Sequence, residues 1–143
     1  MFYKIKTVTP LEDFKLLVYF CNGDVKQYDM DVAANKNDVF AELKSNRPLF
    51  NSATVDAGGY GVSWNDEIDI DCNELWTNGT RVETAFSNLL SFADATELWQ
   101  LNESTLRKAI SYGKLVEGID VQKFGKQWIV TRSAMEREYG SRT

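Results

Sequence analysis

The chain has 143 residues, 16 Lys and Arg against 21 Asp and Glu, no histidine, and a formal charge of −5. A hydrophobic share of 43% and an aromatic share of 13% exclude a disordered chain and leave room for one medium domain or two small ones. Without histidine the usual general base near neutral pH and the commonest metal ligand are missing, and no Ser or Cys stands at a spacing that supplies another base. A protein that is not an enzyme, with no catalytic residue, metal or cofactor, is therefore expected.

Charge is unevenly placed. Residues 1–80 carry 7 basic against 13 acidic side chains, and residues 81–143 carry 9 against 8. An acidic front joined to a near-neutral back points to two units with different partners. No apolar run approaches the roughly 20 residues of a membrane span, and residues 1–6 lack the apolar stretch of a signal peptide. A cytoplasmic protein without membrane contact is expected, with Cys21 and Cys72 as reduced thiols in the core.

Residues 3–9 alternate like a strand and stop at Pro10. Two β-rich runs, 15–21 and 24–29, flank Asn22-Gly23, a hairpin signal because both residues tolerate positive φ. Asp38 is placed to cap a helix to Lys44, with Val39, Phe40 and Leu43 inward. Short strands follow over 52–56 and 61–64, around Gly58-Gly59, and over 67–70 with Ile68 and Ile70 on one side. Asp71 caps a helical turn holding Leu75 and Trp76. Asp66, Glu67, Asp69, Asp71 and Glu74 begin like a calcium loop, but Glu74 and Thr80 occupy the places that need Gly and a bidentate Glu. Asn78-Gly79-Thr80 marks a boundary between domains 1–78 and 79–143. Val82, Ala85, Phe86 and Leu89 stand at helical spacing and predict a connecting helix over about 81–89.

In the back half, Ser91 is placed to cap a helix with Asp94 three residues on, and Ala95, Leu98 and Trp99 face inward. Leu101-Asn102 makes a turn, and Asn102 caps a second helix over 103–112 that Gly113 stops. With Leu106, Ala109 and Ile110 buried, Ser104, Arg107, Lys108 and Ser111 point away, while Thr105 and Tyr112 lie at the border. Small polar side chains near the helix start reach base edges, Arg takes a guanine bidentately and Lys holds a phosphate. Two β-rich arms meeting near Gly125 place Lys123 and Lys126 by a hairpin tip, and Thr131 caps a closing helix Arg132–Tyr139.

The pieces Phe20-Cys21-Asn22-Gly23-Asp24, Phe40 with Leu43, Leu49-Phe50, Val55-Asp56-Ala57-Gly58-Gly59 and 62–70 occur in the order seen in the bacterial domain of unknown function 2442, which residues 1–76 resemble. The resemblance implies a compact α+β unit and no reaction. Members stand alone, beside helix-turn-helix segments, or in apparent toxin–antitoxin gene pairs. Leu90-Ser91 with 95–98, then 104–110 with Gly113-Lys114-Leu115, then 123–130 resemble the winged helix-turn-helix of MerR-type regulators and phage excisionases. That resemblance implies DNA contacts at Ser104, Thr105, Arg107 and Lys108 and wing contacts at Lys123, Lys126 and Gln127. Gln100 stands where such motifs often have Gly.

The expected fold is α+β, a small N-terminal domain of mixed sheet and helix followed by a C-terminal winged helix-turn-helix. The leading functional expectation is sequence-specific binding of double-stranded DNA by a transcriptional regulator or antitoxin-like repressor, whose acidic front binds a protein or pairs with itself as a homodimer. The alternative is a protein-interaction module, an antitoxin or inhibitor that holds a basic partner without binding DNA. A third reading is an excisionase-like recombination accessory protein.

Overall fold

The hairpin around Asn22-Gly23 forms, with β2 (Lys15–Phe20) pairing antiparallel to β3 (Val25–Asp29). Only Gly23 takes a positive φ, +92°. Asn22 contributes its side chain instead, its Oδ1 accepting the Asp24 N–H at 3.0 Å. β1 (Ile5–Leu11) pairs with β2 on the other side, and alternate residues of β2, Leu16, Val18 and Phe20, are buried. The computed structural model describes residues 2–141 and divides after Ala85 into two units.

In the first unit the chain turns from β3 straight into α1 (Met30–Lys36), a helix that the sequence pattern does not announce. Asp29 ends the strand and caps the helix, its carboxylate accepting the Asp31 N–H at 2.9 Å. The helix expected over 38–44 is a single tight turn, Asp38–Phe40, followed by α2 (Ala41–Ser45). Its cap is Asn37, not Asp38, because the Asn37 Oδ1 reaches the Val39 N–H at 3.1 Å. Pro48 sits in the first turn of the short α3 (Arg47–Phe50), where its missing N–H costs nothing. β4 (Thr54–Val55), β5 (Gly61–Ser63) and β6 (Asp69–Asp71) form a second, three-stranded antiparallel sheet. Gly59 lets its turn pass close to β1: a Cβ there would stand 2.6 Å from the Ile5 carbonyl oxygen at a φ of +81°.

Asp71 caps α4 (Cys72–Asn78) as expected, accepting the Asn73 N–H at 2.9 Å. Glu74 is engaged by neighbours within its own unit. It accepts from Tyr28 at 2.7 Å and pairs with Lys36 at 3.1 Å, tying β3, α1 and α4 together. Burial alone would raise the Glu74 carboxyl, but donation from Tyr28, Asn78 and Lys36 outweighs it and holds the group below its ordinary value. Leu16, Tyr28, Met30, Leu43, Phe50, Val62, Ile68 and Leu75 are among the core side chains of this unit.

The connecting helix expected over 81–89 is absent. β7 (Thr80–Arg81) instead completes the first sheet in the order β1-β2-β3-β7, and the Val82 N–H donates to the Val25 carbonyl at 3.0 Å. Both ends of the segment are committed to sheets, Arg81 pairing with Lys26 and Leu89 with Thr131, and residues 85–88 form a turn between them, so the spacing of Val82, Ala85, Phe86 and Leu89 carries no helix. Phe86 is exposed. Strand Thr80–Arg81 thus carries the first unit past residue 78.

The second unit begins with β8 (Leu89–Ser91), followed by α5 (Phe92–Trp99), α6 (Glu103–Ser111), β9 (Val121–Phe124), β10 (Gln127–Thr131) and α7 (Arg132–Tyr139). β8 and β9 flank β10 in a three-stranded antiparallel sheet. Phe92, Ala95, Trp99, Leu106, Ala109, Leu115, Val130 and Met135 belong to its own core. Both units are antiparallel sheets packed with helices, an α+β arrangement.

Candidate nucleic-acid interface

The two helices α5 and α6 are set by local signals. Ser91 accepts the Asp94 N–H at 3.0 Å and starts α5. Gln100 stops it at φ 55°, ψ 49°, the left-handed geometry a glycine usually supplies. The N–H groups of Gln100 and Leu101 both donate to the Thr96 carbonyl, the latter at 2.9 Å, which closes the helix and turns the chain. Gln for Gly therefore changes the strain of the turn and not its shape. Asn102 holds the N-cap position of α6, but its side chain makes no capping bond; its carbonyl accepts the Thr105 N–H at 3.0 Å. Gly113 stops α6 at φ +80°, with the Lys114 N–H reaching back to the Ala109 carbonyl at 2.9 Å.

Leu106 and Ala109 are buried and Ile110 is half-buried, so α6 has one face on the core. Ser104, Arg107, Lys108 and Ser111 are exposed on the other. Thr105 is half-buried at the border, whereas Tyr112 is 75% exposed and belongs outside. In the hairpin of β9 and β10, Gln127 pairs with Phe124 and Trp128 with Lys123, and Gly125 turns at φ +61°. Lys123, Lys126 and Gln127 are exposed at this tip. Trp128 stacks on Phe92, with ring centres 5.7 Å apart, and anchors the wing to α5; the Lys123 ammonium lies 5.9 Å from the Trp128 ring centre.

The described cations of the second unit fall into two sets. Arg132 and Arg137 belong to the scaffold: Arg132 lies 3.7 Å from Glu136, and Arg137 binds Asp120 and Glu138 at 3.0 and 2.8 Å. The side chains of Arg107, Lys108, Lys126 and, in the loop after α6, Lys114 make no hydrogen bond or ion pair among the described residues, and that of Lys123 has only the Trp128 ring. Exposed cations without carboxylate partners, on a helix and on the hairpin after it, are poised for anions supplied from outside. The Asp120–Arg137 pair is invisible to sequence patterning. Its partners stand 17 residues apart, and no local pattern links them.

Among the described residues no helix is long and apolar enough to cross a membrane, and no group of three or more Cys, Asp or Glu side chains is arranged to hold a metal ion.

Comparison with known families assigns each unit separately. Residues 5–81 match the family described as protein of unknown function DUF2442, more than half of the chain. The chain belongs to the DUF2442 family. Residues 82–143 match a family described as a helix-turn-helix domain, so this DUF2442 protein carries a second module that suggests DNA binding. No curated protein and no solved structure matches the chain.

Proposed function

We propose that this DUF2442 protein is a cytoplasmic, sequence-specific DNA-binding regulator and not an enzyme. One observation carries the reading: the outward side chains of α6 and of the wing tip include Arg107, Lys108 and Lys126, none of which is paired, while Arg132 and Arg137 are tied into the scaffold. Ser104, Thr105 and Arg107 read base edges in the major groove, Lys108 and Ser111 hold the backbone, and Lys123, Lys126 and Gln127 grip the adjacent stretch. A single small reading head gives limited specificity, so two copies engage two half-sites. The excess of acidic side chains in the first unit supports a role in binding a protein, as an antitoxin-like repressor does.

A salt series tests this. Three phosphate contacts, from Lys108, Lys123 and Lys126, give a slope of log K against log salt of about −3 for B-DNA. Affinity for duplex DNA that stays at background at low salt would favour a protein-interaction module instead.

A further inference from the structure

One aromatic side chain at the wing tip has no part in major-groove reading or in backbone contact. Phe124 ends β9, immediately before Gly125, and is 64% exposed. Its cross-strand partner is Gln127. In this hairpin Val121, Val130 and Trp128 face the core side, so alternation sets Phe124 on the opposite face. No aromatic ring of the described residues stacks on it, and it lies outside the core cluster of its unit. The stack of Trp128 on Phe92 holds the other face of the hairpin against α5. From Val121 to Thr131 the sequence has two cations, Lys123 and Lys126, and no acid.

A projecting apolar ring on a hairpin tip that carries two cations and no acid fits a partner that offers apolar walls between rows of anions. The DNA minor groove is such a surface, with deoxyribose walls between two phosphate strands. Apolar side chains entering it lodge against a base step and partly unstack it. We infer that Phe124 is a minor-groove wedge, with phosphate contacts from Lys126 beside it at the tip and from Lys123 on the other face of the hairpin, that favours A·T over G·C beside the major-groove site of α6. The preference follows from the guanine 2-amino group, which projects from the groove floor into the space the ring would fill. This inference rests on the DNA-binding reading and adds a specificity determinant to it.

The test uses the full chain. A duplex is first selected from a random-sequence pool, and its flank under the wing is then rebuilt with A·T, G·C or inosine·cytosine pairs. Inosine lacks the 2-amino group, so inosine·cytosine presents a minor groove like that of A·T while keeping the major-groove face of G·C. The wild-type chain should bind A·T and inosine·cytosine flanks about tenfold tighter than G·C, the discrimination typical of one base-pair position. Phe124→Ala should shrink that ratio to about twofold, and Phe124→Leu should keep most of it. Because the ring is exposed, neither substitution should move the melting temperature. Equal ratios for wild type and Phe124→Ala, with selection intact, would overturn the wedge and leave the DNA reading standing. The wedge is overturned in the same way if Phe124→Ala changes only the sedimentation of the free chain, or only its binding to vesicles of anionic lipid. A wild-type chain that selects no duplex overturns the DNA reading and the wedge with it.

Discussion

Arg137 grips Asp120 with two parallel hydrogen bonds, Nη1 to Oδ1 at 3.1 Å and Nη2 to Oδ2 at 3.0 Å, across the connection between α6 and the wing. The same carboxylate accepts the Val116 N–H at 2.9 Å, and Arg137 Nη2 also donates to the Lys114 carbonyl at 3.1 Å. The Thr131 N–H donates to the Asp120 carbonyl at 2.9 Å, which ties the loop to the end of β10. A single carboxylate on α7's guanidinium thus fixes the segment that sets the wing beside α6.

Donation from Arg137 and from the Val116 N–H outweighs burial and holds the Asp120 carboxyl below its ordinary value. A group depressed by folding stabilises the native state above its unfolded pKa, about 3.9, and loses that contribution as pH falls through the native value. Melting temperature recorded from pH 7 down to 3 should therefore fall less steeply in Asp120→Asn than in wild type. At pH 7 the variant should be less stable by about 1–2 kcal/mol, toward the low end for a charged hydrogen bond because Arg137 is half exposed. Parallel pH profiles for the two chains would show that the tie contributes nothing.

Gln100 carries a conformational cost that glycine would not. Gln100→Gly should raise stability by about 0.5–1 kcal/mol, the relief of a left-handed side chain less the entropy glycine gains when unfolded. Denaturant midpoints with an unchanged slope check it; a lower midpoint would contradict the turn described here.

The two faces of α6 should behave oppositely. Leu106 is fully buried, and Leu106→Ala should cost about 2–5 kcal/mol. Ser104→Ala and Lys108→Ala, on exposed positions, should stay within about 0.5 kcal/mol of wild type in chemical denaturation.

Lys126 sits at the exposed wing tip. Lys126→Ala should weaken every duplex alike and reduce the salt slope by about 1, since a lost phosphate contact carries no sequence information. Loss confined to one sequence would move Lys126 to base reading.

The second unit is legible in the sequence because its signals are local. Ser91 and Thr131 are caps with their bonds made, Gly113 is a left-handed stop, and the burial of Leu106 and Ala109 follows the helical period. The first unit is legible as strands, yet α1 is not, because Asp29 serves as strand end and cap at once and leaves no punctuation between them. The expected helix over 81–89 fails for the opposite reason: its apolar spacing suits a helix, but strand partners distant in sequence hold its two ends, Lys26 at Arg81 and Thr131 at Leu89, and leave only a turn between them. Partners distant in sequence, such as Asp120 with Arg137 or Glu74 with Tyr28, leave no periodic trace.

The most direct measurement is the affinity of wild type and Arg107→Ala for a duplex selected by the wild-type chain and for a random duplex of equal length. A guanine-reading arginine predicts a loss of about 1–3 kcal/mol on the selected duplex, a much smaller loss on the random one, and relaxed preference at one base position. Equal losses on both duplexes, or none on either, would contradict base reading by the outward face of α6.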